Sequence, residues 1–193
     1  MKNYEYHRIE VLAAQLGKAG IKQEIIDKIM EGGENILHKT SPAKKADWML
    51  EAMLRMDKFL DLKTSKTVRE ACACRLTGSP LKASQKIARE NKSLEDRIKA
   101  ANKAISVYGG CIRMQENGEV LMRFAAEGLD HYRCPCLPGA DKPLPVTYCF
   151  CCGGHVKYHL QIQLGQELDY TIQSTALSSG GKLPCTFSLR IKE

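Results

Sequence analysis

The chain has 193 residues, 44% of them hydrophobic and 26% charged, a balance typical of a globular protein with a real core, which excludes disordered and fibrous classes. Its net charge of +7 comes from lysines spread between Lys2 and Lys192, without the dense basic run or interleaved aromatic residues of a nucleic-acid surface, so we expect no nucleic-acid partner. Because there is no signal-peptide pattern and no run of ~20 apolar residues, we expect a cytoplasmic protein without a membrane span, in a compartment that keeps thiols reduced.

Helical periodicity dominates residues 1–107. The first helix is predicted near residues 5–18, because Ile9, Leu12 and Leu16 lie three or four positions apart and would share one face. This half of the chain therefore predicts a helical bundle with short connections.

Ser41-Pro42 predicts the start of the longest helix, since serine caps helices and proline is tolerated at the first helical position. Cys72 shares an apolar stripe with Val68 and is expected to be a small buried hydrophobe, whereas Cys74 lies off that stripe. The remaining predicted helices run from Lys63 to about Arg75, from Leu81 and from Leu94.

Alternating residues in the region 108–193 predict an antiparallel sheet. Strands at 111–115 and 119–124 flank Glu116-Asn117-Gly118, which is typical of a hairpin. A two-residue turn would mix polar and apolar side chains on each face, whereas a three-residue loop gives one apolar face. We therefore predict the three-residue loop, with the pairs Ile112–Met122 and Met114–Val120.

The remainder of the chain predicts one helix and a second hairpin. Helical spacing begins at Gly154, and strands at 167–174 and 185–191 are joined through a turn at 178–181. The predicted fold class is α+β, with an N-terminal helical bundle (1–107) packed on a C-terminal antiparallel sheet of two hairpins with one helix (108–193).

The segment from His131 to His159 holds five of the nine cysteines and three of the five histidines. No packing argument requires so many soft ligands in so few residues. An odd number of cysteines and a reducing compartment both argue against a closed set of disulfides. The segment therefore predicts a metal site or a site of thiol chemistry.

Zinc is the predicted metal, because it is held by about four thiolate or imidazole ligands that chains supply as two pairs separated by a loop. The pairs here are Cys134-Pro-Cys136 and Cys149-Phe-Cys151-Cys152, with 12 residues between them. An iron–sulphur cluster is the alternative cofactor that thiolate ligands allow. The predicted ligands are Cys134, Cys136, Cys149 and Cys151, with Cys152 and Cys185 as replacements; strand parity points Cys185 inward.

A second hypothesis is a cysteine-dependent hydrolase or thiol redox enzyme. Cys152 precedes Gly153-Gly154 and a helix, so backbone N–H groups could depress its pKa, and His131, His155 or His159 could act as its base. His155 and His159, four apart, could also bind zinc, but exposed or capping histidines are the favoured interpretation. Whether the protein is an enzyme stays open.

A third hypothesis is a small-molecule or metal sensor whose apolar pocket lies between the helices and the sheet. The identity of the small-molecule ligand, and whether the chain forms a homodimer, are left open by the sequence. On the residues alone, we expect a zinc-binding protein with a small-molecule-binding or sensing role.

The layout of the C-terminal half, ending in Cys185-Thr186-Phe187-Ser188-Leu189, resembles the hydrocarbon-binding domain of the four-vinyl-reductase type. That resemblance implies an α/β ligand-binding module with a cysteine-held zinc ion near the pocket, and it implies that Cys185 is a ligand. The whole chain, including Ala71-Cys72-Ala73-Cys74, also resembles a group of uncharacterised bacterial proteins with similar cysteine pairs. A likeness to amino-thiazoline-carboxylate hydrolase-like proteins implies the enzymatic alternative.

Overall fold

A computed structural model describes residues 3–104, 111–126 and 128–192. These residues form seven α-helices and a four-stranded antiparallel sheet, so the predicted α+β class is confirmed. The predicted boundary at residues 107–108 lies outside the described residues. The helices are α1 (His7–Lys18), α2 (Gln23–Ile29), α3 (Pro42–Phe59), α4 (Leu62–Ala71), α5 (Gly78–Glu90), α6 (Leu94–Lys103) and α7 (Phe150–Leu164), with short 3-10 helices at Gly33–Asn35 and Val146–Cys149. The strands are β1 (Ile112–Met114), β2 (Val120–Arg123), β3 (Leu168–Ser174) and β4 (Thr186–Ile191).

Side-chain caps determine where several helices begin. Ser41 accepts a hydrogen bond from the Lys44 N–H ahead of α3, which confirms the predicted start. Asp61 and Ser93 cap α4 and α6 in the same way. The prediction for α4 was wrong at its C-terminus, because the helix ends at Ala71 and leaves Cys74 outside it.

The sheet has the strand order β1-β2-β4-β3, so the two predicted hairpins join through β2 and β4. The first hairpin pairs Ile112 with Met122 and Met114 with Val120, which confirms the three-residue loop. Buried side chains from three of the strands cover one face of this sheet, namely Val120, Met122, Leu168, Tyr170, Phe187 and Leu189.

Helix α7 lies between the helical half and the sheet, because it packs against α4 and α5 on one side and β3 on the other. Two apolar cores result. The first is formed mainly by α1, α2 and α3, and the second by α7 and the sheet. Cys72 and Cys136 pack against both cores, so thiols lie at the seam between them. No helix among the described residues is long and apolar enough to cross a membrane.

Candidate functional site

The cysteine loop is residues 132–144, and backbone contacts hold it at both ends. The Tyr132 N–H donates to the Gly181 carbonyl at 2.9 Å, and the Leu144 N–H donates to the Leu177 carbonyl at 3.3 Å. In the middle, a Cβ on Gly139 would lie 2.3 Å from the Pro42 carbonyl carbon, so only glycine allows this close approach to α3. The loop is thereby fixed to the β3–β4 connection and to the helical half.

Four thiols meet where the cysteine loop contacts the start of α7. The thiols of Cys134 and Cys152 both interact with the Cys136 sulfur, and the Cys152 thiol also interacts with the Cys151 sulfur. Cys136 is half-buried and the other three are buried. We call Cys134, Cys136, Cys151 and Cys152 the thiol quartet.

Cys149 and Cys185 lie beside the thiol quartet. The Cys149 thiol is in hydrogen-bonding range of Thr175, and burial raises its pKa to about 12. The Cys185 sulfur accepts a hydrogen bond from the Ala176 N–H at 3.3 Å and is buried, as its strand parity predicts. The structure therefore brings together the predicted Cys134, Cys136 and Cys151 with Cys152, and engages Cys149 and Cys185 with the residues that follow β3.

Two arginines from the helical half reach the thiol quartet. Arg8 of α1 donates to the Tyr148 hydroxyl at 3.3 Å and lies in hydrogen-bonding range of Cys136. Arg69 of α4 is only 3% exposed. It donates to the Tyr148 carbonyl at 3.0 Å, and its guanidinium lies 5.0 Å from the centre of the Tyr148 ring.

Neither arginine has a carboxylate partner among the described residues, and the Arg69 Nε has no hydrogen-bond partner there. Cys72, which the sequence predicts as a small buried hydrophobe, is half-buried and lies in hydrogen-bonding range of Arg69. Besides the carbonyl and the ring of Tyr148, the electron-rich groups beside the Arg69 side chain are therefore cysteine sulfurs.

The pKa values of the thiol quartet diverge. The pKa of Cys136 lies well below its usual value, first because the Cys134 and Cys152 thiols can donate to its sulfur and then because Arg8 lies beside it. The pKa of Cys151 is lowered to about 6 by the Cys152 thiol and by Arg69. Cys136 and Cys151 are therefore the members of the quartet that lose a proton most readily, while the pKa values of Cys134 and Cys152 are raised.

The expected depressed pKa at Cys152 is wrong in direction. Its thiol lies in range of both the Cys136 and the Cys151 sulfur, and donating a proton to either thiolate favours the protonated form. Burial raises the pKa of Cys152 further, although the residue lies in the first turn of α7.

The histidines of the segment contact other groups. The His159 Nε2 lies 3.0 Å from the Ser84 hydroxyl, and the His155 Nδ1 lies 2.6 Å from the Cys74 carbonyl. Burial, with a smaller contribution from His155, lowers the pKa of His159 to about 4, so its ring is neutral near pH 7. The His131 ring packs directly against Gly181, where a Cβ would overlap it.

With the side chains as placed, no group of three or more histidine, cysteine, aspartate or glutamate residues in the described parts of the chain surrounds a metal position. The quartet consists of pairwise contacts instead. Four-fold coordination there requires rotation about χ1 of at least one cysteine, a movement that staggered rotamers allow.

A pocket of about 320 Å³ opens beside the thiol quartet, between the cysteine loop and the β3–β4 connection. Cys134 forms part of its wall, together with the polar side chains of His131, Arg133, Asp141 and Lys142. It therefore differs in place and polarity from the apolar pocket that the sequence predicts between helices and sheet.

Arg8, Arg69 and Tyr148 are functional candidates that were not predicted from the sequence. One signal was present in α4, where Arg69 follows Ser65 by four residues and precedes Cys72 by three, along the buried side of the helix. A basic residue on a buried stripe is unusual and implies a partner. Nothing local predicts that this partner is a set of thiols far along the chain.

No curated protein matches the sequence. The resemblance to the hydrocarbon-binding domain gains no support from these comparisons, whereas the expectation of an uncharacterised family agrees with them. Residues 8–178, which include Arg8, Arg69 and the thiol quartet, match a family of unknown function. The chain therefore belongs to that family, DUF6144.

Proposed function

We propose that the protein binds a metal ion, zinc, through cysteine thiolates at the seam between its two cores. The observation that carries the proposal is the convergence of the two cysteine pairs of the thiol quartet. Four sulfurs bound to one zinc ion lie about 3.8 Å apart, from a Zn–S distance of ~2.3 Å in a tetrahedron. The proposed ligands therefore have to move from their pairwise contacts into tetrahedral positions when the metal binds.

The proposed ligands are Cys134, Cys136, Cys151 and Cys152. Although neighbours in sequence rarely bind one ion together, the Cys152 thiol is in hydrogen-bonding range of the Cys151 sulfur and of Cys136. Cys149, which was predicted from the sequence as a ligand, becomes a replacement here together with Cys185, because both are buried close by. An iron–sulphur cluster is the alternative occupant of the same ligands.

Elemental analysis of the purified full chain tests this proposal. We expect about one zinc per wild-type chain, as four thiolates and one ion require. Cys136→Ser should lose most of it, whereas the control Cys74→Ser, at an exposed thiol, should keep it. Substoichiometric metal that falls no further in Cys136→Ser would contradict the proposal. If the purified chain contains iron together with acid-labile sulphide, the site holds an iron–sulphur cluster instead of zinc.

The pocket beside Cys134 supports a further part of the proposal, a small-molecule-binding or sensing role. A molecule in this pocket would touch one proposed metal ligand, so that binding and metal geometry would be coupled. A reducing compartment such as the cytoplasm is part of the same proposal, because a thiolate centre needs free thiols.

Thiol chemistry is the second candidate, and the low pKa of the half-buried Cys136 favours it. In that case Cys136, rather than the Cys152 suggested by the sequence, is the nucleophile. Two results together would favour this function over the metal centre. The wild-type protein would be free of metal and would have a single thiol that alkylates rapidly near neutral pH, and Cys136→Ser would abolish that rapid reaction.

A further inference from the structure

Two arginine side chains lie beside the thiol quartet, and neither has a carboxylate partner among the described residues. Arg69 is 3% exposed and Arg8 is partly buried. Burying a guanidinium is costly unless an opposite charge lies close to it. The neighbouring sulfurs of Cys136 and Cys151 are the electron-rich groups that the structure places beside these two arginines.

A charge count separates the possible ligand sets of the proposed metal centre. One divalent ion with four thiolates carries two negative charges, which two arginines balance. Three thiolates and one neutral histidine carry a single negative charge and would leave one arginine uncompensated. His155 and His159 are in addition engaged with the Cys74 carbonyl and the Ser84 hydroxyl.

The Arg69 side chain also contains a hydrogen-bond donor that could bind a further acceptor. Its Nη2 donates to the Tyr148 carbonyl, but its Nε is buried and has no partner in the described part of the chain. Buried N–H groups are nearly always satisfied, so an open one beside sulfurs is an indication of a missing acceptor. A metal-bound thiolate is such an acceptor, because it keeps its negative charge and its lone pairs.

We infer that Arg8 and Arg69 favour a divalent metal ion held by four thiolates over one held by three thiolates and a histidine, as a buried dianion that the two guanidinium groups neutralise. This inference rests on the proposed metal binding and adds the charge and composition of the centre. Tyr148 positions both cations, since its hydroxyl accepts from Arg8 and its carbonyl accepts from Arg69. The arginines are positioning residues and do not bind the metal.

The test measures zinc affinity of the full chain by chelator competition, with Co²⁺ absorption as a readout of the ligand atoms. We expect Arg69→Met to weaken zinc binding on the order of 100-fold, the effect of one unit charge about 6 Å away at an effective dielectric of ~20. Arg69→Lys should recover part of the loss.

Arg97→Met is the matched control, because Arg97 also donates to backbone carbonyls, those of Asn91 and Leu164, away from the thiols. It should bind zinc like the wild type. Arg8→Gln provides a second variant at a less buried position if Arg69→Met does not fold, and it should weaken binding in the same direction.

Wild-type affinity in Arg8→Gln and in every folded Arg69 variant would overturn the inference, and so would a Co²⁺ spectrum of three sulfurs and one nitrogen in the wild type. Both results leave metal binding itself intact. A wild-type chain that binds neither zinc nor Co²⁺ would instead refute the proposed function, and the inference with it.

Discussion

Tyr148 is the residue through which the arginines and the thiols of this protein are connected. It is 1% exposed, its ring lies beneath Arg69 and its hydroxyl accepts from Arg8. Burial raises the pKa of Tyr148, so that the hydroxyl stays protonated and neutral. Tyr148 itself therefore adds no charge to the thiol quartet. Its role there is to position the two arginines.

At the same scale, Gly153 limits how closely α7 can approach the sheet. A Cβ at this position would lie 2.1 Å from the ring of Tyr170, whose hydroxyl donates to the Phe150 carbonyl. We expect Gly153→Ala to destabilise the fold by about 3 kcal/mol, the upper end of overpacking costs. Urea unfolding measures the change.

Gly17→Ala is the control for this prediction, because Gly17 is also helical but has open space around it. Its free energy of unfolding should change by less than ~1 kcal/mol, towards greater stability. Equal effects of the two substitutions would show that helix propensity, and not the contact with Tyr170, determines the outcome.

At the scale of elements, α5 and α7 are joined by the buried hydrogen bond between Ser84 and His159. The pKa of His159 is lowered from 6.5 to about 4, mainly by burial. Between these two pH values, His159 is therefore protonated in the unfolded chain but neutral in the folded chain. Stability is therefore fully present above pH 6.5 and is lost as the pH falls towards 4.

We expect the wild type to lose about 2–3 kcal/mol of unfolding free energy between pH 7 and pH 4 through this group, at about 1.4 kcal/mol per pKa unit and allowing for partial solvation. His159→Gln, which keeps a hydrogen-bonding side chain, should remove that part of the pH dependence. His7→Gln, at an exposed histidine, should leave it unchanged. Parallel pH profiles for the wild type and His159→Gln would contradict the prediction.

How far each element could be predicted depended on whether local chemistry determined it. The hairpin register followed from side-chain alternation, because shifting it by one residue would place polar groups in the core. The end of α4 could not be predicted, since no glycine or proline occurs between Ala71 and Gly78. There the chain leaves the helix to make tertiary contacts, with the Cys74 carbonyl against His155 and Arg75 stacked on Tyr158.

At the scale of the molecule, the candidate site belongs to neither half of the chain. Cysteine density predicted that thiols would gather in the segment 131–159, but cysteine spacing could not show that Cys152 joins Cys136 while Cys149 turns to Thr175. The arginines arrive from α1 and α4, and only the packing of α7 against the helical half brings them close. Long-range packing of this kind leaves almost no local signal.

The position of the proposed metal at this seam predicts a contribution to global stability. Its ligands come from the cysteine loop, which is fixed to α3 and to the β3–β4 connection, and from α7, which packs on both halves. A metal that binds only the folded chain stabilises it by about 4 kcal/mol when free zinc is ~1,000 times its dissociation constant.

Removing the metal with a chelator should therefore lower the melting temperature of the wild type by about 8–16 °C, at ~2–4 °C per kcal/mol for a domain of this size. The melting temperature of Cys136→Ser should already be low and should not respond to the chelator, whereas Cys74→Ser should respond like the wild type. Calorimetry before and after chelation, with metal content measured on the same samples, checks this. If the metal is lost without a change in melting temperature, it binds the unfolded chain as well as the folded one, because a ligand bound only to the folded state must stabilise that state.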